Sequence, residues 1–215
     1  AVGRLRNDEA LRSRAIQLTA IHDASEEIAS TALEVKAVCQ SVFRAVSRLI
    51  RFEAFNLTRW DRHNHEIEAL ILWDQGQFSP PLRIRDDQGW SSYVLESGAS
   101  LKINDASQEN SITPQPVHYG SRRQSRAVLV VPLKLAGRIV GTISVQSYQP
   151  GVFTWDDLRM LELIAGPAAI ALENSRLYEE VSRQALTFAN MFDAVIIADA
   201  ETRIIDWNPA AEKLF

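Results

Sequence analysis

Cysteine is nearly absent from this chain: Cys39 is the only one in 215 residues. No internal disulfide can form, so a reducing, cytoplasmic setting is the expectation, and chemistry that cycles between two thiols is excluded. Long apolar runs are missing as well. A membrane-spanning helix needs roughly 20 predominantly apolar residues, whereas the best run, Leu163 to Leu172, is shorter and contains Gly166-Pro167. The opening AVGRLRNDEALRSR is too charged for a secretory signal. Nor is there an excess of positive charge, since 23 Lys and Arg stand against 27 Asp and Glu, a net charge of -4 at pH 7. That balance gives no general attraction to nucleic acid or to an anionic membrane, and neither is expected to bind this stretch.

A hydrophobic content of 46% is enough for one sizeable domain with appendages. From Leu5 to Leu49 there is neither Gly nor Pro. Leu11, Leu18, Ser25 and Ala32, with Ile21, Ile28 and Val35, recur at heptad-like spacing and predict a helical pairing surface. Ser30 or Thr31 is placed to cap a second helix carrying Leu33, Val38, Val42, Phe43, Val46 and Ile50 toward a core. After Arg51 the period falls to two: Phe55, Leu57 and Arg59 alternate with Asn56, Thr58 and Trp60, and a polar turn leads into Ile67 to Trp73 as a hairpin.

Residues 75–81 read as loop, 82–85 as a short strand, 89–97 as a short helix, 101–103 as another strand, and 104–124 as a long polar crossing. The stretch AVLVVPLKL, Ala127 to Leu135, is apolar on both faces and reads as the central, doubly covered strand. In the strand that follows, Ile139, Ile143 and Val145 alternate with Val140, Thr142, Ser144 and Gln146, one face apolar and the other mostly polar. Thr154 as N-cap, Asp156 and Asp157 in the first turn, and Phe153 against Leu158 then start a helix reaching about Phe188. Its stripe is Leu161, Ala165, Ala168, Leu172 and Ser175. The fold class is α+β, an antiparallel sheet with long helices on one face and short helices and loops on the other.

The stretches VPLKLAGRIVGTISVQS and FTWDDLRMLELIAGPAAIALENSRLYEE resemble the C-terminal half of a GAF domain, and DQGWSSYVLESGASLKIND resembles its middle. Gly166-Pro167 departs from the family's uninterrupted helix, and a kink is expected there. Near the end, Val195 to Ile197 and Ile204 to Trp207 read as a hairpin, with Asn208 as N-cap and Pro209 at the first helical position. That tail resembles the start of a PAS domain. The organisation expected is a linker helix over 1–29, a GAF-like sensory domain with a C-terminal signalling helix over 30–187, and an incomplete PAS-like beginning over 188–215. The sequence then reads as a piece of a longer modular protein.

The resemblance implies a sensory or relay role, although GAF domains include cyclic-nucleotide receptors, bilin and haem sensors, a thiol-based reductase and ligand-free dimer spacers. Residues narrow these. Cys39, in a helix, is badly placed for a covalent bilin, one thiol does not suffice for the reductase, and Asn104 is followed by Asp105 where cyclic-nucleotide receptors carry Asn-Lys. His118, in PVHY, stands roughly where bilin-binding relatives carry Cys-His, which leaves a noncovalent tetrapyrrole or haem against a plain solvated histidine.

His63 and His65 lack partners for a metal. Arg122, Arg123 and Arg126, just before the core strand, are able to meet phosphate or carboxylate, and a solvated basic loop is the reading preferred for them. The expected pocket draws on Trp90, Tyr93, His118, Thr142, Ser144 and Gln146, with no catalytic group, no metal and the cofactor left open. The reading is a sensory, relay and dimerisation module of a bacterial-type signalling protein, such as a two-component sensor histidine kinase or a cyclic-dinucleotide enzyme. The alternatives are a receptor for a noncovalent tetrapyrrole or nucleotide, or a ligand-free dimerisation spacer. A homodimer is expected through Leu11, Leu18, Ile21 and Ile28 at one end and Leu161, Ala165, Ala168 and Leu172 at the other.

Overall fold

Sheet order places the site, and it follows from where polar and apolar residues alternate. The computed structural model describes residues 19–30, 34–108 and 123–214. Residues 19–30 are helical (α1), and Ala24 and Ile28 are buried in the main core. Helix α2 (Val35–Leu49) turns Val38, Cys39, Val42, Ala45 and Val46 to one buried side, the three-and-four spacing of an amphipathic helix. Its N-cap position is Glu34, without a side-chain cap. Ser30 does not serve there because its hydroxyl donates back to the Glu27 carbonyl inside α1. Thr31 and Leu33 lie outside the described residues.

Strands β1 (Ala54–Asp61), β2 (Glu66–Asp74), β3 (Gln77–Ser79), β4 (Leu82–Arg85), β5 (Leu101–Ile103), β6 (Ala127–Leu135) and β7 (Arg138–Ser147) form one antiparallel sheet in the order β3-β2-β1-β7-β6-β5, with β4 also on β2. The expected loop over 75–81 is therefore a strand in part. Gln75 and Gly76, both at positive φ (45° and 88°), make a two-residue hairpin turn. Strands β3 and β4 then run in one register along the outside of β2, interrupted at Pro80-Pro81. An edge is where missing N–H donors are tolerated, and prolines there discourage further pairing. Strand β6 is not central; β1 and β7 occupy the middle, and β5 covers only Val128 to Val130 of β6. Pro132 falls beyond that cover, which explains how a proline fits inside an apolar strand.

One sheet face carries Phe55, Leu57, Leu129, Val131, Ile143 and Val145 against α2 and helix α4 (Trp155–Ala189). Each large side chain fully buried there contributes about 1.5–3 kcal/mol of hydrophobic stabilisation. Leu161, Ala165, Ala168 and Leu172 of α4 are buried in this same core. They cover the sheet of their own domain, so the expected C-terminal pairing stripe is not available to a partner. At the N-terminal end Ile28 is likewise spent in the core, while Leu11 and Leu18 lie outside the described residues. A capping box between Thr154 and Asp157 starts α4, and the helix continues without interruption through Gly166 and Pro167.

Helix α3 (Gly89–Ser97) packs on the other sheet face, where Val94, Ile103, Val128 and Val130 form a small second cluster. Beyond α4, β8 (Ile196–Ala198) and β9 (Ile204–Trp207) pair as a separate hairpin, followed by α5 (Pro209–Glu212). Asn208 caps α5 by accepting from the Ala211 N–H and ties the hairpin's ends by donating to the Asp193 carbonyl.

Candidate functional site

The α3-facing side of the two middle strands is polar where a buried sheet is usually apolar. Cross-strand pairing sets Asn56 beside Ser144 and Thr58 beside Thr142, with Gln146 next along β7. These side chains do not meet α2 or α4, because Phe55, Leu57, Ile143 and Val145 take that face. Above them α3 begins with Gln88 extended and Gly89 at φ 75°, which brings Trp90 and Ser91 down onto the sheet.

Between them lies a small cavity of about 20 Å³. Asn56, Ser144 and Gln146 line it from the sheet, Gln88, Trp90 and Ser91 from α3, and Ile84 and Val130 supply apolar wall. That is room for about one water molecule. Hydroxyls close one end: Thr58 Oγ1 and Thr142 Oγ1 are 2.8 Å apart, Ser91 Oγ lies 3.1 Å from Thr142 Oγ1, and the Thr142 N–H donates to Thr58 Oγ1 at 3.1 Å. At the other end Ser125 Oγ donates to Gln146 Oε1 at 2.6 Å, and Gln146 Nε2 reaches Ser144 Oγ at 3.4 Å. Among the described residues no buried side-chain N or O lacks a partner. The described lining is made of amides, hydroxyls, an indole and aliphatic groups, which suits hydrogen-bonded binding and offers no nucleophile with a base.

Of the residues expected from sequence, Trp90, Ser144 and Gln146 line this cavity. Thr142 is fully buried beside it and committed to the hydroxyl network. Tyr93 packs in the small apolar cluster rather than at the cavity. His118 lies outside the described residues. Asn56, Gln88 and Ser91 escaped the sequence reading. Asn56 had a signal, since it alternates with Phe55 and Leu57, but nothing local says that β1 pairs with β7.

Other tempting groups have occupations. Arg126 makes a two-pronged pair with Asp105 at 2.6 and 2.9 Å, and with Ser107 it holds the Asp105 carboxyl well below the usual carboxylate range. Arg123 stacks over the Tyr148 ring at 5.5 Å, and Arg122 lies outside the described residues. His65 Nδ1 is 3.3 Å from Asp86, and no group of His, Cys, Asp and Glu able to hold a metal occurs among the described residues. Burial pushes the Cys39 thiol up to about 12, the opposite of what a reactive thiolate needs. A second recess, about 690 Å³, lies where α4 passes the ends of β1, β2 and β7. Several of its arginines are matched by carboxylates: Arg59 pairs with Glu68 at 2.6 Å, and Glu173 accepts from Arg138 and Arg176. Among the described residues no helix is long and apolar enough to cross a membrane.

The family model described as the GAF domain matches residues 32–173, and the chain belongs to that family. Over 95 residues, 44% of this chain, it is 30% identical to Hybrid signal transduction histidine kinase G of Dictyostelium discoideum. Over 172 residues, 75% of this chain, it is 23% identical to the Probable 3',5'-cyclic phosphodiesterase pde-5 of Caenorhabditis elegans. The matched segments span 3% and 23% of those two relatives. The GAF domain from an Acinetobacter phosphoenolpyruvate-protein phosphotransferase superposes with a TM-score of 0.62 at 15% identity, over 77% of this chain and 98% of that one. That likeness establishes the fold and nothing finer.

Proposed function

We propose that this chain is the sensory and relay module of a multidomain signalling protein, catalysing nothing itself, and that the polar recess between β1, β7 and α3, which holds about one water as it stands, opens to admit a small molecule. The observation that carries the reading is the buried polar register Asn56, Ser144 and Gln146 facing a cavity on the side of the sheet away from the long helices. A sheet needing only stability would be apolar there, since buried polar groups add little net free energy even when paired. The signal leaves through α4, which packs on β6 and β7 of the same sheet. The two relatives are a kinase and a phosphodiesterase by name, and the matched segments are 3% and 23% of them, which supports a regulatory role in a longer protein and leaves the output open. A cytoplasmic sensor histidine kinase or cyclic-dinucleotide enzyme is the output class proposed, with residues 188–215 as the start of a PAS-like unit and the module acting as a homodimer. A noncovalent tetrapyrrole or nucleotide remains the rival ligand class, and the small size of the cavity favours the ligand-free spacer as the second reading.

Native mass spectrometry of the purified chain, with a thermal-shift screen of metabolites, tests this. The expected result is a ligand whose stabilisation is abolished by Ser144→Leu, a change that fills the cavity. If no compound stabilises the wild type, or if the S144L variant binds as well, the recess is not the site.

A further inference from the structure

Beside the recess, two successive residues of β1 join the two faces of the sheet. Thr58 closes the hydroxyl end of the cavity, and Arg59 points to the opposite face, as strand alternation requires. There its guanidinium donates twice to Glu68 Oε2, at 3.0 and 2.6 Å, and its remaining arm stands 3.6 Å from Glu179 Oε2 on α4. Arg83 holds Glu68 from the other side at 3.3 Å. Among the described residues the other ion pairs of 176–183, Arg176 with Glu173 and Glu180 and Arg183 with Glu180, lie within α4 itself. Arg59 is thus the charged link from the sheet to the half of α4 that buries no side chain.

The backbone that carries this link has no slack against β7. Arg59 pairs with Gly141, where an added Cβ would stand 1.9 Å from the Thr58 carbonyl oxygen and 3.1 Å from Arg59 Cα. Gly141 leads directly into Thr142, whose N–H donates to Thr58 Oγ1 and whose hydroxyl pairs with it. In packing this close, a shift of either threonine moves the backbone of Arg59 with it.

We infer that Arg59 couples the recess to the distal half of α4: a polar ligand that takes over the Thr58 and Thr142 hydroxyls draws Arg59 away from Glu179, and residues 176–189 lose order. This coupling presupposes that the recess is the sensory site, and it adds the route from there to the helix. The two-state element is the half-helix itself, ordered or frayed. Because Glu179 is half exposed, the pair biases that balance by a small factor only.

Amide hydrogen exchange on the full chain, at one fixed protein concentration, is the test. Glu179→Gln should speed exchange over 176–189 by about two- to fivefold and leave 158–172 unchanged. Thr58→Val, which removes a recess hydroxyl on the face away from α4, should speed the same segment. Combined with E179Q it should add nothing further, because both changes cut one link. Ser91→Ala loosens the same hydroxyls from α3 and is read in the same way where T58V does not fold. If E179Q leaves 176–189 unchanged, the ion pair carries nothing. If T58V or S91A alters only β1 and β7, or adds its effect to that of E179Q, recess and ion pair are independent. Either result removes Arg59 as the link, while the recess itself stands or falls by the S144L screen.

Discussion

A methyl group on Gly141 would stand 1.9 Å from the carbonyl oxygen of Thr58 and 2.9 Å from its carbon. The contact falls where two ladders are irregular: Leu70 is the extra residue of β2 opposite Leu57 and Thr58, and Val140 is the extra residue of β7 next to Gly141. Backbone cannot rotate away as a side chain can. Gly141→Ala should therefore cost about 1–3 kcal/mol, read as a lower urea midpoint at constant slope; an unchanged midpoint would contradict the close approach. Glu173 supplies a pH-dependent counterpart. Hydrogen bonding from Arg176, opposed by burial and aided by Arg138, holds its carboxyl below the ordinary range. A carboxylate lowered in the folded state stabilises above its unfolded pKa, and that stability is lost as pH falls through the folded value. Because Arg138 and Arg176 are partly exposed, screening reduces the effect, and Glu173→Gln should cost about 1 kcal/mol at pH 7. The gap from wild type should close as pH falls below the ordinary carboxylate range, and a gap that stays constant would show that charge is not the cause. The candidate site was half legible at this scale. Ser144 and Gln146 announce themselves by alternating with Ile143 and Val145, whereas Asn56 and Ser91 join them only through pairings distant in sequence.

Elements were legible where their signals are local. Thr154 and Asp157 spell out a helix start, and the structure shows both halves of the reciprocal cap. The strand at 82–85, the helix at 89–97 and the strand at 101–103 are found where turn residues bound them. Strand β3 was missed because Gln75-Gly76 and Pro80-Pro81 both punctuate the chain, and only an edge position lets a strand persist between them. The order of β1, β7 and β6 depends on non-local pairing, so the most apolar strand was wrongly placed in the middle. Within α4, Gly166 has no steric need to be glycine, since an added Cβ meets nothing within 4 Å. Gly166→Ala should stabilise the fold by about 0.5–1 kcal/mol, raising Tm. A lower Tm would instead show that the backbone beside Pro167 is held in a shape that alanine resists.

At the scale of the whole molecule, α4 is two different helices in sequence. Its buried side chains run from Leu158 to Ser175, and after Ser175 none is buried in one copy. Residues 176–189 make a helix of a length that is marginal in water without tertiary support. The preceding turns spare it the cost of nucleation, and the pairs Arg176–Glu180 at 3.3 Å and Arg183–Glu180 at 3.8 Å add only about 0.2–0.5 kcal/mol each. Among the described residues the start of α2, at Glu34 to Lys36, borders this half across an open groove, and on the sheet side Arg59 reaches Glu179 at 3.6 Å, so tertiary support is thin. Its order should therefore depend on the second copy proposed above. Amide hydrogen exchange gives the measurement: protection over 176–189 should rise with protein concentration and collapse in a variant carrying Ile170→Asp and Leu177→Asp at two exposed positions of α4, while 158–172 stays protected in both because the sheet holds it. Such behaviour would make the distal half of α4 the part of the domain whose folding reports assembly, suiting it to carry a signal outward. Equal protection of the two halves in the monomeric variant would mean that the domain orders the whole helix by itself, and assembly would then have no hold on it.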